Sequence, residues 1–174
     1  MAARDVTLYG RSILKRKCRA VEDFSVLEPL ISDMFDTMYE EEGVGLAANQ
    51  IGLDLNLMVV DVSHTEEADE AMVFINGEII DSTGEAILEE GCLSLPEVRV
   101  DVKRPETITL KYQSIDGQEH VATYSGLLAR VIQHESDHLN GIVIIDRVSP
   151  LVRMKFSQEL KQIAQRAREQ SQAL

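Results

Sequence analysis

His134-Glu135-Ser136-Asp137-His138 is the stretch from which the rest of this chain is read. On an α-helix, side chains four positions apart share a face, so His134 and His138 would reach one metal ion while Glu135 sits one step round. Imidazoles bind zinc or iron well, and a neighbouring carboxylate takes the proton of a water that the ion acidifies. Two histidines at this spacing also arise on helices without function; the intervening glutamate and the setting argue for a site here. Ser125 is expected to cap the helix N-terminus, Leu127, Leu128, Val131 and Ile132 supply an apolar face, and Asn140-Gly141 is a stop signal. The spacing predicts a buried helix carrying two metal ligands.

The surrounding chain has 174 residues, 44% of them hydrophobic, which suits one domain burying roughly 70% of its unfolded surface. It contains no run of about 18 apolar residues and no charged-then-apolar leader, so no membrane span and a cytoplasmic location are expected. Two cysteines, Cys18 and Cys92, are too few for a disulfide framework. A formal net charge of -13 argues against a general nucleic-acid binder, DNA included, because most of the surface would repel a phosphate backbone. The charge is uneven: residues 20–98 hold 20 acidic side chains and no Lys or Arg, a pattern that reads as a solvated acidic face.

From the N-terminus, Arg11, Lys15, Arg16, Lys17 and Arg19 surround Cys18, which reads as a structural or exposed thiol whose basic neighbours would lower its pKa. Ser25 and Glu28 form a capping-box signature, and Leu27, Leu30, Ile31, Met34 and Met38 recur at helical spacing up to Tyr39. That helix should stop near Glu40-Glu41-Glu42, before Gly43-Val44-Gly45. The string Gly43 to Gly52 lacks both a phosphate-loop ending and dinucleotide-turn spacing, but its small side chains suit a close backbone approach to a ligand. Gln50 is its one polar group able to face a reacting carbonyl, although taken alone it reads as a surface amide. Leu57–Val62 and Ala71–Ile75 read as strands divided by a polar loop in which His64 is solvated. Val98–Val102 alternates like a half-buried strand, which puts Cys92 beside strands. Thr107–Tyr112 and His120–Tyr124 flank Asp116-Gly117 and should pair as a hairpin, with His120 a cross-strand filler. Pro150 opens a last helix with Leu151, Met154, Phe156, Leu160 and Ile163 as expected contacts.

Two histidines leave a metal under-coordinated, since a catalytic site takes three protein ligands plus an open position. A third histidine six positions after His138 would fit one protease pattern, but Ile144 stands there. Glu159 lies at a tolerable distance for a thermolysin-like set, which leaves Cys92 without a role. Cys92 itself would give a Cys-His-His site suited to zinc or ferrous iron.

Three blocks carry a family resemblance: Gly43-Val44-Gly45-Leu46-Ala47-Ala48-Asn49-Gln50, Glu90-Gly91-Cys92-Leu93-Ser94, and Gln133-His134-Glu135-Ser136-Asp137-His138-Leu139. In their order and spacing the chain resembles the peptide deformylases over nearly its whole length, with a helical tail like that of the common bacterial type. The resemblance implies an α+β fold: antiparallel or mixed strands wrapped around the central metal-binding helix, with an N-terminal and a C-terminal helix. One catalytic domain would span residues 1–174, with the C-terminal helix at 150–174. The resemblance further implies that Cys92, His134 and His138 hold one divalent metal, Fe(II) in the cell, with Zn, Ni or Co in purified protein. A metal-bound water would be the nucleophile, with Glu135 as general base and then acid, and the Gln50 side-chain amide and Leu93 N–H would bond the carbonyl oxygen as it gains charge. The substrates would be N-formylmethionyl nascent polypeptides, their methionine among Val44, Leu88, Leu127 and the helix bearing His134, their backbone along Gly45 and their distant residues near Arg99. Asp137 and Gln133 would have supporting roles at most. The basic tail suggests either docking on the ribosome or a helix that simply packs on the domain.

Overall fold

In the computed structural model, which describes residues 2–172, the Leu27, Ile31, Met34 and Met38 stripe forms the buried side of helix α1 (Leu27–Glu40). Its entry differs from the expected capping box. A 3-10 turn over Phe24–Val26 precedes it, and Ser25 lies inside that turn with its N–H donated to Asp23 at 3.0 Å. The helix ends where Glu42 adopts φ 58 and the Gly43 N–H reaches the Met38 carbonyl at 2.8 Å.

Among the described residues seven strands follow, every pairing antiparallel: β1 (Gly45–Ala47), β2 (Leu57–Val60), β3 (Met72–Thr83), β4 (Ala86–Cys92), β5 (Leu95–Arg104), β6 (Thr107–Gln113) and β7 (Glu119–Ser125). Five form one sheet in the order β1-β2-β3-β6-β7, and β4 and β5 form a separate hairpin. β3 runs well past the Ile75 limit read from sequence. The chain there takes up an extra residue as a bulge: Asn76 sits at φ 54, its side chain bonds the Val21 backbone at 2.7 and 3.0 Å, and pairing with β6 resumes at Glu78. The Asp116-Gly117 hairpin forms as expected, and His120 stacks on its cross-strand neighbour Tyr112, ring centroids 5.2 Å apart. His64 is exposed in its loop.

The sheet is covered on both faces because β2 is buried at every position. Leu57 and Val59 point to α1, whereas Met58 and Val60 point to helix α2 (Gly126–Leu139), where they meet Leu128, Ala129 and Ile132. A third apolar cluster joins Val98, Val100 and Val102 of β5 to the C-terminal segment. That segment is two helices, α3 (Pro150–Lys155) and α4 (Ser157–Gln172), and not one. Leu151 and Met154, expected as contacts, are 65% and 66% exposed. In so short a helix the inward positions are Val152 and, just past its end, Phe156, while Leu160 and Ile163 are buried as expected. Cys18 is the structural thiol of the two alternatives, and its pKa departs from expectation. It is buried, and burial together with Asp54 pushes its thiol up to about 11, while its basic neighbours face solvent. Among the described residues, no helix is long and apolar enough to cross a membrane.

The N-terminus of α2 is held by a residue that sequence reasoning passed over. Ser125 makes no side-chain cap, because it ends β7 and its hydroxyl pairs with Thr107 at 2.8 Å. The carboxylate of Glu67, from the loop between β2 and β3, accepts instead from Leu127 N at 3.0 Å and Leu128 N at 2.6 Å. A carboxylate on the first free N–H groups of a helix replaces solvent there and meets the positive end of its dipole. Glu67→Ala should therefore destabilise the protein by about 1 kcal/mol, read as a lower denaturation midpoint in urea.

Candidate active site

α2 lies with one face on the sheet and turns Arg130, His134 and Asp137 toward the β4–β5 hairpin. Cys92 is the last residue of β4, just before the turn at Leu93 and Ser94, so one hairpin end and one helix supply all three candidate ligands. Cys92 Sγ lies 3.1 Å from His138 Nε2, and the donor atoms of Cys92, His134 and His138 all lie within 4.8 Å of one another. That is close to the span that coordination bonds of roughly 2.0–2.3 Å bridge. Among the described residues no other cluster of three His, Cys, Asp or Glu is so placed. Glu159 is exposed on α4 and Ile144 is buried in the core, so neither joins the group.

The surroundings of the two histidines favour positive charge on His134 and disfavour it on His138. Glu90 Oε1 lies 2.9 Å from His134 Nδ1. Burial alone would raise the Glu90 carboxyl, but hydrogen bonds from His134 and Arg104, with the Arg104 charge, hold it at about 2. An ionised Glu90 accepts, so His134 Nδ1 carries the hydrogen and Nε2 is left to face Cys92. Burial opposes charge on His134, yet Glu135, Cys92 and Glu90 outweigh it and hold the ring well above the usual histidine value. His138, fully buried, is pushed well below that value by burial and by His134. One cysteine sulfur beside two histidine rings is a set of donor atoms that could hold a metal ion.

Glu90 is itself clamped. Arg104 donates to both of its oxygens at 2.7 and 2.9 Å, and Arg130 adds a bond to Oε2 at 2.6 Å. Arg130 also donates to the Val102 and Ala86 carbonyls, tying α2 to both strands of the hairpin. Arg104 continues to Asp137 at 2.8 Å, and Asp137 accepts two bonds from Arg147. Asp137 thus lies on the same side of α2 as His134 and enters an ion-pair network with Arg104 and Arg147. Gln133 donates to the Pro105 carbonyl at 2.9 Å.

Cys92 and His134, with His138 buried behind them, open onto a cleft of about 570 Å³ whose walls include Val44, Gly45, Gln50, Leu88, Leu93, Arg99, Leu127 and Glu135. All five residues expected to bind substrate therefore border it. Gln50 is buried, which corrects the surface-amide reading. Its Oε1 accepts from Ala47 N at 2.9 Å, so Nε2 is the end directed at Ser94 Oγ, 3.2 Å away, and at Cys92 Sγ, 3.8 Å away. Glu135 is 2% exposed, its Oε1 has no partner among the described residues, and burial pushes its carboxyl up to about 7. Its other oxygen is pressed against Gly45, where a Cβ would stand 2.9 Å from Glu135 Oε2 and 2.8 Å from Val131 Cγ1. Gly45→Ala should displace the carboxylate and lower turnover about 10²-fold with little loss of fold, which circular dichroism and an activity assay together would show.

Sequence reading set the pocket against the helix bearing His134 without naming Arg130 and Val131, and it gave Glu90 no role as the partner of His134. Helical spacing carried part of the signal, since Arg130, His134 and His138 fall four apart, as do Leu127, Val131 and Glu135. Nothing in the sequence pairs Glu90 with His134, which lies 44 residues away.

The chain matches the polypeptide deformylase family over residues 3–154. It is 44% identical over 173 residues to the peptide deformylase of Christiangramia forsetii, covering 91% of this chain and 88% of that one. It is 44% identical to that of Tolumonas auensis, covering 97% and 100%. The crystal structure of peptide deformylase from Thermus thermophilus superposes with a TM-score of 0.88 at 40% identity, covering 95% of this chain and 99% of that one. With most of its length matched at this identity, the chain belongs to the polypeptide deformylase family and is an enzyme of that hydrolase class.

Proposed function

We propose that this enzyme removes the formyl group from the N-terminal formylmethionine of newly made polypeptides and releases formate. The observation that carries the reading is a buried carboxylate oxygen without a hydrogen-bond partner among the described residues, Glu135 Oε1, next in sequence to one of three clustered candidate ligands at the head of an apolar-walled cleft. Cys92, His134 and His138 would hold one divalent ion, Fe(II) in the cell and Zn, Ni or Co after purification, which when bound supplies a Lewis acid for water and carbonyl alike. Glu135 takes the proton of the attacking water and passes it to the departing amine, a double duty suited to a carboxyl whose pKa lies near neutrality. The Gln50 amide and the Leu93 backbone N–H donate to the formyl oxygen as it gains charge. Glu90 fixes the His134 tautomer throughout.

The methionine side chain packs against Val44, Leu88 and Leu127. The substrate backbone runs along Gly45, since β1 stands at the edge of its sheet and has an unpaired side for an added strand. Arg99, exposed and paired with Glu89 at the cleft, meets residues further down the peptide. Such substrates emerge from the ribosome, which makes the enzyme cytoplasmic. The solvent side of α4, with Lys161, Arg166 and Arg168 exposed, offers positive charge to ribosomal RNA. Reversing those three charges should abolish co-sedimentation with ribosomes at low salt. The activity is tested by anaerobic purification, metal analysis and formate release from a formyl-Met peptide; a metal-loaded protein that releases none would end the reading.

A further inference from the structure

The N-terminal segment before the first helical turn lies against the back of the site as an extended strap. On one edge, Thr7 N donates to the Gln50 carbonyl at 2.7 Å and Tyr9 N to the Ser94 carbonyl at 2.9 Å. On the other edge, Gln170 of α4 donates from Nε2 to the Val6 carbonyl at 2.8 Å and accepts from Leu8 N at 3.2 Å, while nearer the terminus Arg4 N donates to Thr37 Oγ1 at 2.9 Å. An amide side chain that takes a carbonyl and an N–H two residues apart occupies the place of a neighbouring strand. Leu160, Ile163, Ala167 and Gln170 recur three and four apart, so Gln170 ends the same face that packs on Leu8. Gly10, at φ +111, completes the fit, since a Cβ there would lie 2.9 Å from Ala164 Cα.

The two carbonyls that the strap grips belong to the two segments that meet at the reacting carbonyl. One is Gln50, whose side-chain amide also reaches Ser94 Oγ; the other is the turn of Leu93 and Ser94. The geometry points to Gln170 as a positioning residue: through the strap, the tail helix sets the spacing between the Gln50 and Leu93 donors. The inference rests on the reading of those donors given above. It predicts coupling between the tail and the chemical step, carried by four hydrogen bonds and not by a contact of α4 with substrate.

Gln170→Leu deletes both side-chain bonds at similar volume, and Gln170→Glu keeps the acceptor for Leu8 N while losing the donor to the Val6 carbonyl. In metal-loaded enzyme assayed well below its melting temperature, Gln170→Leu should lower kcat on a formyl-Met peptide about tenfold, less than the roughly 10²-fold loss on removing such a donor outright. KM should stay unchanged, and Gln170→Glu should fall between. Hydrogen exchange gives a readout independent of activity: the Thr7 and Tyr9 amides should exchange several-fold faster in Gln170→Leu than in the parent protein. A variant with a lower melting temperature but unaltered kcat would overturn the inference, as would unaltered exchange at Thr7 and Tyr9. A parent enzyme that releases no formate, with faster exchange still seen in the variant, would remove the deformylase reading and leave the clamp standing.

Discussion

Glu135→Gln is expected to leave a folded protein with its metal ligands intact and formate release slowed by roughly 10²–10⁴-fold, the range for loss of a positioned proton carrier. The substitution keeps the shape of a side chain that is 2% exposed and wedged against Gly45. It removes only the capacity to accept and return a proton. Burial already disfavours the ionised carboxylate, enough to push it up to about 7. A neutral amide escapes that penalty, so the variant should be at least as stable as the parent while nearly inactive. This sign separates catalysis from scaffolding: a structural glutamate would lose stability with activity, a catalytic one only activity. Formate release, metal content and urea midpoint measured on the same preparation check it, and turnover within threefold of the parent would exclude Glu135 as the proton carrier.

The α2 helix and its two histidines were legible because helical period, an apolar face and an Asn-Gly stop agree on one segment. Cys92 was legible only through the surrounding Glu90–Ser94 block, since a thiol 42 residues from His134 has no local period linking it to a histidine. What the sequence hid is long-range. Gln50 read as a surface amide because nothing local shows that the Ala47 N–H and Ser94 would close around it. Glu67 was one of many acidic residues in a solvated loop until α2 placed two free N–H groups in front of it. The capping serines Ser25 and Ser125 failed as signals for one reason: each lies inside a neighbouring element, which takes its hydrogen-bonding groups before the helix begins. Local rules rank the residues that can do a job, and tertiary packing chooses among them.

Glu90→Gln should be the most destabilising single change in the site. Its carboxylate accepts from His134, twice from Arg104 and once from Arg130, and both arginine side chains are less than 10% exposed. An amide of the same size offers one acceptor oxygen and turns an NH₂ toward donors, leaving positive charge buried with less than its full complement of anions. Breaking a buried pair in this way costs about 3–5 kcal/mol, to be measured by urea unfolding of metal-free protein. Asp137→Asn makes the internal control. It also removes a carboxylate bound to Arg104, but Arg104 keeps Glu90, and the other partner, Arg147, is 44% exposed and can turn to water. Its effect should be less than half as large, although by residue type and burial the two changes look alike. The same substitution at Glu90 frees the His134 ring to rotate or change tautomer, so metal affinity should fall about 10–100-fold in a chelator competition, while Asp137→Asn leaves it near the parent value. Equal losses of affinity in the two variants would mean that the network stabilises α2 as a whole and does not act through His134.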